Sequence, residues 1–160
     1  MVDWFKHYYA IFFPLYFAGS WVLSTYLVAA TSGWRLLAAR FRAQGPFTGP
    51  TWRFQSARMR WMSNYNGALT IGADVTGLFM VPMLIFRAWH PPLFIPWTEI
   101  NLEGTRQVLF FTLVELRLGR LEQIPFKIKV ELATKLRAAA GPAWAAEHSR
   151  TMPAPPPPIA

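Results

Sequence analysis

Residues 11–30 read IFFPLYFAGSWVLSTYLVAA. No charged side chain falls between His7 and Arg35, and a run of about 20 apolar residues is what a helix needs to cross the hydrocarbon of a bilayer. Immediately beyond it come Arg35, Arg40, Arg42, Arg53, Arg58 and Arg60, while no Asp or Glu occurs between Asp3 and Asp74. The stretch predicts a membrane-spanning helix, and the arginines predict which side holds the bulk of the chain. Positively charged flanks stay cytoplasmic. The expected location is therefore the inner (cytoplasmic) membrane, single-pass, with the N-terminus outside and the C-terminal domain inside.

Amphipathic rings prefer the headgroup region. Trp4, Phe5, Tyr8 and Tyr9 crowd one end of the span and Trp34 closes the other. The expected lipid contacts are thus Trp4, Tyr8, Tyr9, Trp34, Arg35, Arg40 and Arg42, joined by Arg53, Arg58 and Arg60 farther along. Pro14 is expected in the first turn or two of the helix, where its missing N–H costs least. Ser20 with Ser24, and Thr25 with Ala29, form small-xxx-small pairs that let another helix approach. A signal peptide is the competing reading, since Val28-Ala29-Ala30 offers small residues at cleavage positions. Asp3 and Lys6 cancel, however, so the leader lacks a basic start. A buried core helix fits less well, because the segment has no polar stripe.

With 160 residues, there is room for the anchor and one domain of roughly a hundred residues. Eight Trp and thirteen Phe point to a tightly packed β-rich core or to surface kept for a partner. The formal charge of +8 would suit nucleic acid or an anionic membrane. Six of the sixteen basic residues follow the anchor closely, which favours the membrane. Cysteine is absent, excluding disulfides, thiolate metal sites and cysteine nucleophiles.

The remainder divides into a basic stem and linker at 35–50, a domain at 51–141 and a Pro-rich tail at 142–160, after an anchor at 1–34. Gln44-Gly45-Pro46 and Gly49-Pro50 break the stem. From Trp52 the pattern becomes that of a strand, with Trp52, Phe54, Ser56, Arg58 and Arg60 on one face and Gln55, Ala57, Met59 and Trp61 on the other. Asn64-Tyr65-Asn66-Gly67 signals a turn. Strands are expected at 68–71, 78–81 and 93–97, the last at an edge or a bulge because of Pro96, then at 99–102, 107–118 and 124–128. Ile128, Leu132 and Leu136, joined by Ala133 and Ala140, mark a closing amphipathic helix stopped by Gly141-Pro142. The fold class is α+β: one transmembrane helix, then an antiparallel sandwich or barrel closed by a helix.

Leu69-Thr70-Ile71, Gly77-Leu78-Phe79 and Leu93-Phe94-Ile95-Pro96-Trp97-Thr98-Glu99-Ile100 together resemble the pattern of bacterial PH-like and GRAM-like domains over residues 47–141. The resemblance implies a PH-type β-sandwich with a C-terminal helix, associated with lipid or protein binding rather than catalysis. The basic cluster by which eukaryotic PH domains take phosphoinositides is matched only in part, by Arg53, Arg58 and Arg60.

No reaction centre is expected. His7, His90 and His148 lack metal-ligand spacing. His7, at the membrane edge, reads as an interfacial aromatic rather than a pigment or haem ligand, and His90 as a shaper of the loop before Pro91. Gly67, Gly72 and Gly77 are five apart at turns, with no helix or lysine behind them to cradle phosphate. The tail, with Pro153 and Pro155 to Pro158, is expected to be extended polyproline II or disordered. The functional expectation is a non-enzymatic accessory, scaffolding or assembly subunit of a larger membrane complex, of the electron-transport or photosynthetic kind. It has no metal, cofactor, nucleic acid or small-molecule substrate, and its partners are membrane lipids and other membrane subunits. The alternative is an anionic-lipid-binding module at the cytoplasmic surface.

Overall fold

The computed structural model describes residues 2–60, 63–108 and 111–144, with side chains from Tyr8 onward. Trp4, His7, His148 and the Pro-rich tail, as side chains, lie outside the described part. Helix α1 runs Val2–Thr31, and at 1.5 Å per residue it is about 45 Å long. Its Tyr8–Thr31 portion is apolar and long enough to cross a membrane, with almost none of that surface covered by the rest of the chain. Because the helix starts at Val2, Pro14 lies in its interior rather than its first turns. It removes one backbone bond there.

Gly33 turns the chain sharply, at φ +83°, and a Cβ at this position would meet Ile124 Cδ1 at 2.7 Å. Only glycine satisfies both the left-handed backbone and that close approach. Helix α2, Trp34–Phe41, follows with Trp34 and Leu37 buried. The stem, expected at 35–50 as a basic, partly helical segment, packs against the domain through Trp34 and Leu37. Trp34 lies in the core rather than at a membrane interface, because its indole N–H reaches the Pro91 carbonyl at 2.9 Å while its ring packs beside Tyr65 and His90. Phe47, farther along, stacks on Phe79 at 4.8 Å.

Seven antiparallel strands form one sheet: β1 Thr51–Met59, β2 Ser63–Ala73, β3 Gly77–Pro82, β4 Leu93–Pro96, β5 Ile100–Val108, β6 Phe111–Leu118 and β7 Ile124–Lys129, in the order β4-β3-β2-β1-β7-β6-β5. A 3₁₀ segment, Leu84–Trp89, joins β3 to β4. As Pro96 implied, β4 is at an edge, and Arg42 and Ala43 cover its outer side through a bridge to Leu93 and a bond to the Pro92 carbonyl. The sheet curls into a half-barrel, so that helix α3, Val130–Ala140, touches β2 in one half and β6 and β7 in the other. Leu132, Ala133, Leu136 and Ala140 close the core formed by Leu69, Ile71, Leu78, Leu116 and Phe126. Trp144 meets Trp97 edge-on just past the helix.

Three local expectations are corrected. Asn64 to Gly67 is not a turn but part of β2, since Tyr65 is pulled into the core; Gly67, at φ +62°, serves a bulge and donates its N–H to Ser56 Oγ. The register of β1 slips between Trp52 and Gln55, where Phe54 takes φ +57° and points outward. That extra residue returns Trp52 to the core side with Ala57 and Met59. The long run at 107–118 is two strands, β5 and β6, with Val108 paired to Phe111.

Candidate functional site

The joint between α1 and the domain carries the densest arrangement of polar and aromatic groups. Ser32 ends α1, Tyr65 rises from β2, and His90 follows the 3₁₀ segment; all three are buried. Tyr65 Oη lies 3.1 Å from Ser32 Oγ and 3.0 Å from His90 Nε2. His90 Nδ1 lies 3.0 Å from the Phe86 carbonyl. That carbonyl can only accept, so Nδ1 carries hydrogen and the neutral ring presents a bare Nε2 to the phenol. Trp34 N–H completes the chain by donating to Ser32 Oγ at 3.2 Å. Every member is satisfied, and three elements distant in sequence are tied at one point.

Burial sets the protonation of this knot. It pushes the Tyr65 phenol up from 10.0 to about 12, the Ser32 bond opposing in part. It pushes the His90 imidazole below its usual 6.5, with the Phe86 carbonyl opposing. The neutral forms are therefore the ones the fold holds near neutrality.

Above the knot, the 3₁₀ segment packs on α1. Trp21 stacks on Phe86 with ring centres 5.3 Å apart, and its indole N–H reaches the Ile85 carbonyl at 3.3 Å. Tyr26 meets Trp89 edge-on at 5.4 Å. Arg35 donates to the Tyr26 hydroxyl at 3.0 Å and lies over its ring. Thr25 and Ala29 are buried, with the 3₁₀ segment and α2 the elements packed on α1. That expected small-residue pair is taken by the protein's own domain, not by a foreign helix. Ser24 remains exposed and Ser20 is half-buried, its hydroxyl bonded to the Phe17 carbonyl. Tyr8 and Tyr9 are exposed.

The expected basic residues do not form one patch. Arg35 and Arg42 line a cleft of about 490 Å³ with Arg87, Trp89 and Pro91, and no carboxylate is among its lining residues. Arg40 points elsewhere, ion-paired to Glu122 at 3.1 Å. Arg58 and Arg60 line a second cleft, of about 790 Å³, with Glu103, Glu115, Arg117 and Lys127. Arg60 also reaches the Thr31 carbonyl at 3.4 Å, a cation at the negative end of the α1 dipole. Arg53 is exposed on β1.

Sequence reading missed Arg87, Ser32 and Tyr65. No local spacing announces them, because Tyr65 is 33 positions from Ser32 and 25 from His90. Among the described residues, no three His, Cys, Asp or Glu side chains gather as a metal site would require. No known family pattern, curated protein or solved structure matches the chain.

Proposed function

We propose that the chain is a non-catalytic membrane protein whose PH-like domain is held at the cytoplasmic surface by α1 and acts as an accessory or assembly subunit of a larger membrane complex. One observation carries this reading: anchor and domain meet through a buried polar knot and two aromatic contacts, not through a free linker. Such a joint presents the sheet at a fixed height and angle above the bilayer, as a docking subunit requires. The strand order, a four-strand meander followed by a three-strand meander and a closing helix, supports the PH-like part. A burial of Ala29 inside the candidate cleavage stretch favours an anchor over a removed leader. The partner surface on this reading is the β5 edge, which no strand among the described residues covers on its outer side, with Val108 and Phe111 exposed at its hairpin. Unpaired edges are ready templates for another chain.

The test is purification of the tagged, full-length chain in a mild detergent, followed by mass spectrometry. Other integral membrane proteins in fixed proportion are the expected result. A homogeneous monomer would overturn the subunit reading. Orientation is checked separately with Val75→Cys, on the exposed β2–β3 turn, which a membrane-impermeant thiol reagent should label only in opened cells.

A further inference from the structure

Loops on a protein surface are usually polar, yet the connection from β3 to β4 reads Met83-Leu84-Ile85-Phe86-Arg87-Ala88-Trp89. Leu84 is 77% exposed and Ile85 58%, and Met83 and Trp89 are exposed as well. None of the 3₁₀ residues is buried in the core. The segment instead packs against α1 through Phe86 and Trp89, with Ile85 bonded to the helix's own exposed Trp21 and the exposed Leu84 next to it in the chain. One apolar surface therefore continues from the helix onto the domain.

Height along α1 decides what covers that surface. A span of about 20 residues is complete near Leu27 when counted from Tyr8 and near Ala30 when counted from Ile11. Ile85 is bonded at the level of Trp21, six to nine residues earlier, which is roughly 9–13 Å deeper at 1.5 Å per residue. Interfacial elements bury their apolar faces about 5–10 Å into a leaflet, so the shallower of the two placements agrees. Tyr26, Trp89 and Arg35 then fall at the boundary, where amphipathic rings and snorkelling cations are favoured. Arg42 and Arg87 stand in the same cleft, with no carboxylate lining it.

We infer that Leu84–Trp89 is a second membrane-inserted element, seated in the leaflet from which α1 emerges, with Arg35, Arg42 and Arg87 holding the phosphates of anionic lipid headgroups behind it. This rests on the reading of α1 as a membrane anchor. The domain thus grips the bilayer at two points, and the knot at His90 sits directly beneath the second.

The absence of native cysteine makes single-cysteine probes clean. Full-length protein carrying Phe13→Cys, Ile85→Cys or Val75→Cys, each labelled with a polarity-sensitive fluorophore, is placed in nanodiscs containing lipids with quencher-bearing acyl chains. The expected result is quenching at positions 13 and 85 and an aqueous signal at 75. Quenching at 13 with an aqueous signal at 85 overturns the insertion and leaves the anchor standing. An aqueous signal at 13 overturns the anchor reading itself, and the insertion with it. The headgroup part is read from energy transfer to labelled phosphatidylglycerol against labelled phosphatidylcholine. Arg42→Gln with Arg87→Gln should lower the preference for the anionic lipid about fivefold per arginine, without changing the quenching at 85. An unchanged preference overturns the assignment of those arginines.

Discussion

Two polar clusters differ in burial, one inside the core at the foot of α1 and one on exposed strand surface, and bond length alone would rank them wrongly. Across β5, β6 and β7, Lys127 meets Glu115 at 2.6 Å and Arg117 meets Glu103 at 2.6 Å. At the foot of α1, the contacts among Ser32, Tyr65 and His90 are longer, at 3.0 and 3.1 Å. The ion pairs remain in contact with solvent, whereas the knot is sealed beneath Trp34. Exposed pairs are screened and lose side-chain entropy on forming, while a buried group left without its partner suffers the whole cost of desolvation. The longer bonds should therefore matter more. The same contrast divides the arginines: carboxylates share the cleft of Arg58 and Arg60, while the cleft of Arg35, Arg42 and Arg87 is left to an outside anion.

Trp34→Ala should separate the clusters most sharply. It empties the space above Tyr65 and His90 and removes the bond to Pro91, so a loss of about 3–5 kcal/mol is expected, read as a fall in Tm of the detergent-solubilised protein. Near-wild-type melting would show that the packing of α2 on the domain contributes little to stability. Tyr65→Phe is the milder cut. It keeps the ring but strands His90 Nε2 and takes one of its bonds from the Ser32 hydroxyl, which keeps Trp34 N–H and the Ala29 carbonyl, for about 1–3 kcal/mol. If this change proves as harmless as one in the ion-pair cluster, burial is not what ranks them.

Acid probes the knot without mutation. Burial holds the His90 imidazole below 6.5, so the folded state resists a proton that the unfolded chain accepts. Above 6.5 both states are neutral and the stability is complete. As pH falls below 6.5 the unfolded chain binds its proton first, and stability drains away until the lowered folded value is passed. The groups around the ring are the Tyr65 phenol, the Trp34 indole and the Phe86 carbonyl, with Arg35, Arg42 and Arg87 in the adjoining cleft, none of them able to stabilise an imidazolium by negative charge. Wild-type Tm should therefore drop between pH 7 and 5 (about the range in which histidine titrates) more steeply than that of His90→Gln. Parallel curves would place the neutral imidazole outside the energetics of the joint.

What could be read from the chain beforehand follows the range of the interactions. The long apolar helix α1, the edge position of β4 and the α3 face at Leu132, Ala133, Leu136 and Ala140 all rest on neighbours within a few residues, and each was legible. The Asn-Gly pair at Asn66 and Gly67 correctly announced a left-handed residue, but whether that residue makes a turn or a bulge depends on Tyr65 finding Trp34 and His90 far away in sequence. Trp34 misled for a related reason. An indole after an apolar helix looks the same whether it meets headgroups or turns inward, and only the tight Gly33 corner against Ile124 decides. Arginines near an anchor likewise look alike until topology delivers Glu122 to Arg40 and no acid to the lining of the Arg42 cleft.

The smallest effect belongs to the shortest bond. Lys127→Ala, Glu115→Ala and the double variant form a thermodynamic cycle on a pair whose side chains keep roughly a quarter of their surface in water. Its coupling should be under about 1 kcal/mol and should shrink as salt is added, because solvent and counterions already compensate the separated charges. The neighbouring Arg58 and Arg60 bias the result further downward, since each offers Glu115 another cation within the same cleft once Lys127 is gone. A coupling of several kcal/mol that persists in high salt would mean that the cleft holding this pair is covered in the working protein. The comparison would then invert, with the cleft of Arg58 and Arg60 as the buried interface.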